Sequence, residues 1–269
     1  MSANDHISDI GNLPVIDHDR HDAILEGIGR FGRGRIERDL SKEPFGSNPA
    51  CVPFDVKLIP RNEWAERIQE MERKKSRLTD LCDVMRVPVK NQQQTNYCWI
   101  NAPVHCLEIL RAIAGQKYVE LSPASVGGPI KRYRNEGGWG TEGLRYIAEH
   151  GVVPVSLWPA NAIDDQYDTA ECQKARNRFQ IQEWYELDAN NFDQVMTCLF
   201  FGIPVAIGLS WWGHEVTAMA PVKLDGRDNF GIVIDNSWGI DWGEKGRSVL
   251  TENKATPNDA VAPFAAEAS

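Results

Sequence analysis

No stretch of this chain approaches the ~20 consecutive apolar residues that cross a bilayer as a helix. Its opening, MSANDHISDIGNLPV, also lacks a basic segment followed by an apolar run. No membrane partner is therefore expected, and the protein is expected to be cytoplasmic or otherwise not exported by the usual signal-peptide route. Positive charge is short as well: 29 Lys and Arg stand against 38 Asp and Glu, for a formal net charge of -9. That balance argues against nucleic acid as a partner and leaves peptide or small-molecule chemistry open. The CxxC clusters of zinc sites are missing too. Cys51, Cys82, Cys98, Cys106, Cys172 and Cys198 are scattered along the chain, so no metal or other cofactor is expected, and most of them are expected to be free thiols in a reducing compartment. Five read as small buried hydrophobes. Cys98 has to be judged by its neighbours.

What is present sorts into three parts. Residues 1–55 mix Gly, Pro, Asp, His and Arg with short apolar runs, and read as an N-terminal arm with one short helix, followed by a body over 56–269. The arm looks polar and Gly-rich with little to bury, so weak packing on the body is expected. From Asn62, a helix cap, NEWAERIQEMERKKSRLTDLCDVM places Trp64, Ile68, Met71, Leu78 and Leu81 on one face of an amphipathic helix. A second helix opens near Cys98 and stops at Gly115, with Pro103 inside it, where a kink or an irregular first turn is expected. Helical patterns follow in SPASVGG, TEGLRYIAEHG and DANNFDQVMTCLFFG, and strand patterns in FQIQEWYEL, IPVAIGLSWW, HEVTAMAPVKL and FGIVIDNSWG, the last two joined by the turn DGRDN. Helices first and sheet second argue for an α+β body with a cleft between a helical lobe and a sheet lobe.

The chemistry gathers at that cleft. A cysteine in the first turn of a helix meets unpaired N–H groups and the positive end of the helix dipole, both of which lower a thiol pKa. His214 opens one strand and Asn236 follows the next, so one end of the sheet can hold both. A cysteine nucleophile needs an imidazole to take its proton and a third group to orient that ring. Gln92, six residues before Cys98, can supply an amide donor to a developing oxyanion.

VKNQ at 89–92, CW at 98–99, HEVTAM from 214 and NSWGIDWGEKG from 236 resemble the papain-like cysteine peptidases in motif, spacing and order, over residues 87–253. The resemblance implies a two-lobe fold in which the nucleophile helix packs against an antiparallel sheet lobe, with a helical insertion at 62–85. It makes Cys98 the nucleophile, His214 the general base and acid, Asn236 the orienter and Gln92 the oxyanion donor, with Trp238 covering the His–Asn pair. Gly137 and Gly138 fall where the family pairs with the substrate backbone, although NEGGWG also fits a plain turn. Gly208 and Glu215 fall on the wall and floor of a specificity pocket, where a carboxylate would favour Arg or Lys in the substrate.

Departures from the family also carry expectations. Asn96-Tyr97 replaces Gly-Ser before the nucleophile, and Thr95 and Asn135 stand where the family has a disulfide. His214 follows Val205 by only nine positions, which trims one wall of the cleft. The implied partner is a peptide or protein, hydrolysed through a thioester. The same Cys-His-Asn set also suits an acyltransferase or amidase, and the fold can persist as a catalytically silent binding protein, for which the sign would be loss of Cys, His or Gln. The arm is expected either to cover the cleft or to dock the protein on a larger assembly.

Overall fold

The computed structural model describes residues 10–19, 31–226 and 229–266. The amphipathic pattern after Pro60 forms two helices, α1 (Arg61–Lys74) and α2 (Leu78–Met85), in place of the single one expected. Pro60 is the α1 cap and Asn62 lies inside the helix. The break comes at Lys75, whose left-handed φ of 51° turns its N–H and that of Ser76 back onto the Glu72 and Met71 carbonyls. Asp80 then caps α2, its carboxylate accepting from the Arg77 N–H at 3.1 Å and from the Arg77 guanidinium. Both helices bury their apolar stripe, Trp64 and Ile68 from one and Leu78 and Cys82 from the other.

Helix α3 (Cys98–Ile113) runs without a break through Pro103. It is enclosed on nearly every side, and packing holds what the missing proline N–H would loosen. Helices α4 (Ala124–Ile130) and α5 (Gly140–His150) pack beside it, with Trp99, Ile100, Leu107 and Leu144 in a shared apolar cluster. Glycines at positive φ stop α3 at Gly115 and α5 at Gly151. Helix α6 (Ala170–Arg176) was not legible as a periodic pattern, and α7 (Phe192–Phe200) is capped by Asn191, which accepts from the Gln194 N–H.

The described strands form one sheet in the order β1-β7-β6-β5-β4-β8-β3-β2. They are β1 (Val15–Ile16), β2 (Cys51–Val52), β3 (Ile181–Leu187), β4 (Val205–Leu209), β5 (His214–Lys223), β6 (Phe230–Asp235), β7 (Arg247–Thr251) and β8 (Asp259–Ala266). The inner strands pair antiparallel, as expected, but both rims are parallel: β1 lies along β7 and β2 along β3. Strands β4 and β6 are buried along their whole length because apolar layers cover both sheet faces. A last short helix, α8 (Glu252–Ala255), links β7 to β8.

The N-terminal segment departs from the expected weak packing. Leu13 and Ile16 are buried, and Val15 and Ile16 pair with Val249 and Leu250. Within residues 10–19 the helical element is the short 3-10 turn Ile10–Asn12; the rest of the arm helix expectation touches residues 20–30, outside the described residues, as does part of the expected 225–229 turn.

Candidate active site

Cys98 opens α3, His214 opens β5, and Asn236 follows β6, so two strand ends and one helix end converge. His214 Nε2 donates to Asn236 Oδ1 at 2.8 Å. Its Nδ1 has no hydrogen-bond partner among the described residues and keeps a lone pair for a proton. All three residues are buried.

Gln92 is held on three sides. Its N–H donates to the Ser237 carbonyl at 2.7 Å, its Oε1 accepts from Ser237 Oγ at 2.5 Å, and its Nε2 donates to Thr95 O at 2.7 Å. The remaining Nε2 hydrogen bond, 2.9 Å, goes to a carbonyl of the arm, Gly32 O. The Trp238 ring lies beside His214 with centroids 4.7 Å apart. Trp212 adds a second wall 5.1 Å from His214, and Phe31 of the arm stacks on Trp238 at 5.2 Å. Neither aromatic carried a motif that would have singled it out.

The arm runs through the cleft. The Gly34 N–H donates to Cys98 Sγ at 3.2 Å. Gly138 N–H donates to Gly34 O and Gly138 O accepts from the Ile36 N–H, both at 2.9 Å, as a parallel bridge between Arg35 and Gly138. Gly138 pairs with the extended backbone of the arm, and Gly137 precedes it outside any turn. A Cβ on Gly137 would stand 2.3 Å from Gly34 O, and one on Gly138 would stand 2.5 Å from the Trp99 ring. The arm needs its own glycines equally: a Cβ on Gly32 would meet Thr95 O at 2.0 Å and one on Gly34 would meet Asn96 O at 1.9 Å.

Burial under this segment reverses the expected charge state. It pushes the Cys98 thiol up to about 12, and the helix start and the Gly34, Glu215 and Trp99 amides do not offset it. It pulls His214 down to about 3 against the opposing hydrogen bond that the ring donates to Asn236, with Arg33 nearby adding to the fall. The covered site is thus a neutral thiol beside a neutral imidazole. Glu215 is buried, both its carboxylate oxygens lack a hydrogen-bond partner among the described residues, and burial, with Asp259 near, pushes its pKa well above the usual carboxylate range. The expectation that it selects Arg or Lys supposes a solvent-facing carboxylate, and this one is enclosed. Gly208 stands opposite Asp259 of β8 in the sheet.

Where the family has a disulfide, hydrogen bonds join the two loops: Asn135 Oδ1 accepts from the Asn96 N–H at 2.6 Å and Asn135 Nδ2 donates to Gln94 O at 3.3 Å. All six cysteines are free.

A buried thiol on a helix start, an imidazole hydrogen-bonded to an asparagine and a glutamine amide thus share one cleft of an α+β fold. The sequence profile of the papain family of cysteine proteases matches residues 78–261, and the chain belongs to that family. It is 27% identical over 180 residues to chymopapain of Carica papaya, covering 59% of this chain and 50% of chymopapain. It is 27% identical over 225 residues to cathepsin L 2 of Paramecium tetraurelia, covering 77% of this chain and 68% of that protein. The match to chymopapain thus spans half of that relative's length. Among solved structures it shares the fold of procathepsin L 3 from the larval midgut of Tenebrio molitor, with a TM-score of 0.62 at 16% identity over 97% of this chain and 89% of that one. Xylellain, a cysteine protease from Xylella fastidiosa, gives a TM-score of 0.60 at 18% identity over 86% and 96%.

Proposed function

We propose that the protein is a cysteine peptidase held in a covered state by its own N-terminal segment. The observation that carries this is the Gly32 carbonyl on Gln92 Nε2 together with the Gly34 N–H on Cys98 Sγ. In the first a backbone carbonyl accepts from the Gln92 amide, as a substrate carbonyl would in this reading, and in the second an N–H occupies the sulfur.

With the segment gone, His214 Nδ1 takes the Cys98 proton, and the thiolate adds to a peptide carbonyl whose oxygen is held by Gln92. His214 returns the proton to the leaving amine as the C–N bond breaks, leaving a thioester on Cys98. Water, deprotonated by His214, adds to the thioester; the C–S bond breaks, the acid leaves, and the proton returns the site to its starting state. Asn236 keeps Nε2–H engaged and so fixes the tautomer that exposes Nδ1.

The covering segment is not itself a substrate in this pose. It pairs parallel to the Gly138 strand and presents an N–H, not a carbonyl carbon, to the sulfur. Its place in the cleft, and the likeness to a procathepsin across nearly the whole chain, favour a lid over docking on a larger assembly. Six free thiols support residence in a reducing compartment.

The test is the full chain carrying Gly32→Val and Gly34→Val, whose side chains cannot fit against Thr95 and Asn96. It should capture an epoxysuccinyl probe on Cys98 and cleave a fluorogenic peptide at least tenfold faster than the parent chain. Loss of both activities on Cys98→Ala is expected. Probe capture without peptide cleavage would sink the peptidase assignment, and equal rates in parent and variant would sink the lid.

A further inference from the structure

The side chain of Arg35, the residue bridged to Gly138, is almost completely buried, with 4% of its surface exposed. Its Nε donates to Asp259 Oδ1 at 2.9 Å and its Nη2 closes on the same oxygen, while Nη1 donates to Ser210 Oγ at 2.7 Å. The receiving groups sit on paired strand ends: Gly208 of β4 faces Asp259 of β8, Asn258 N–H donates to Gly208 O at 2.9 Å, and Asn258 Oδ1 accepts from the Ser210 N–H at 2.7 Å. A Cβ on Gly208 would lie 2.4 Å from Asp259 Oδ1 and 2.8 Å from Arg35 Nε. The volume that Gly208 leaves free is the volume the guanidinium fills.

We propose that this is an arginine-selective pocket of the cleft, and that the substrate class is peptides presenting Arg beside Gly138. The inference rests on the peptidase reading above. A peptide that replaces the arm must pair with the same Gly138 amide and carbonyl, so one of its side chains faces Asp259 and Ser210 as Arg35 does. The pocket offers one carboxylate, because the guanidinium reaches Asp259 while Glu215 is fully buried with neither oxygen hydrogen-bonded among the described residues. A guanidinium meets the carboxylate and the hydroxyl at once with a planar fork; a lysine ammonium is a point donor on a flexible stem and satisfies one of them well. Arginine therefore ranks above lysine, and lysine above leucine. The arm uses the same pocket, so the strength of the lid and the selectivity of the open enzyme are set by one carboxylate.

The experiment has two parts, both read as iodoacetamide labelling of Cys98 by peptide mapping, which needs no turnover. In the otherwise unaltered full chain, Arg35→Ala and Asp259→Asn should each speed labelling at least tenfold, and the double variant should add little to either single. In the Gly32→Val, Gly34→Val chain, blocked dipeptide amides with Arg, Lys or Leu at the residue meant for the pocket should protect Cys98. Arg is expected to work at roughly tenfold lower concentration than Lys, with the advantage lost in Asp259→Asn and in Gly208→Val. Protection by Leu equal to that by Arg, an Asp259→Asn chain that keeps the preference, or additive effects of Arg35→Ala and Asp259→Asn would each overturn the pocket. Arg-selective protection without hydrolysis would keep the pocket and remove the peptidase reading instead.

Discussion

His105 Nε2 lies 3.0 Å from Asp235 Oδ2, and Asp235 immediately precedes Asn236, the hydrogen-bond partner of His214. His105 Nδ1 reaches Glu108 at 3.5 Å, Lys90 Nζ donates to Glu108 Oε1 at 2.8 Å, and Arg247 joins Asp235 at 2.9 Å to Asp83 at 2.8 Å. Three cations and three carboxylates thus alternate beneath the cleft, enclosed between α3 and the sheet. A small cavity of about 10 Å³ beside them is bounded by His105, Asp235 and Asn236.

This row of charges gives the fold a pH signature. Burial alone would lower the His105 pKa, but its hydrogen bonds to Asp235 and Glu108 outweigh burial and raise it above 6.5. A raised folded-state pKa stabilises fully below the unfolded value and is lost as pH rises through the folded value. Burial would raise Asp235 and Glu108, but Arg247 and Lys90, with His105, hold them below 3.8 and 4.5, so their contribution is lost as pH falls. The melting temperature should therefore decline above about pH 6.5 and again below about pH 4. His105→Gln should cost about 3 kcal/mol, by leaving buried carboxylates short of a cation, and should flatten the alkaline decline. A variant with the parent melting curve at every pH would contradict this.

Cys98 in the full chain should react slowly at neutral pH. With its thiol pushed up to about 12, the rate of iodoacetamide labelling should rise about tenfold per pH unit between pH 7 and 10. Once Gly32→Val and Gly34→Val let water in, labelling should become nearly independent of pH over that range, because His214 can then hold the proton. A parent chain whose labelling is already flat at pH 7 would show that the cover does not set the protonation state.

Six thiols should titrate after denaturation without reductant, since all six cysteines are free. Reductant should leave the melting temperature within about 1 °C. Two or fewer titratable thiols would contradict the hydrogen-bonded link between Asn96 and Asn135 as the substitute for a disulfide.

That Cys98, His214, Asn236 and Gln92 would meet in one cleft was legible chiefly through the motifs VKNQ, CW, HEVTAM and NSWG, since each residue alone also suits an ordinary core or turn position. What covers them was not legible. Gly32, Gly34 and Arg35 belong to a stretch with no periodicity, and they act through backbone amides and one long side chain whose partners lie 64 and 224 residues away. Asp259 was invisible for a similar reason: its role comes from register against Gly208, and nothing in ATPNDAV marks it. Glu215 was visible but misjudged, because strand alternation says which way a side chain points and not how much water remains there. The helix break at Lys75 failed on propensity, since lysine is an ordinary helix former and only the left-handed turn onto Met71 and Glu72 ends the run.

Both rims of the sheet are parallel, and both rim strands come from the N-terminal segment, β1 at one edge and β2 at the other. The stretch that crosses Cys98 is thus a tether fastened at two ends, and its local concentration in the cleft is that of an intramolecular ligand, on the order of millimolar or more. Dissociation of the uncut tether is always followed by recapture. One cut between its anchors leaves both rim strands in place and turns the occupant into two loose ends, so a single hydrolytic event changes the occupancy of the cleft without asking the sheet to refold.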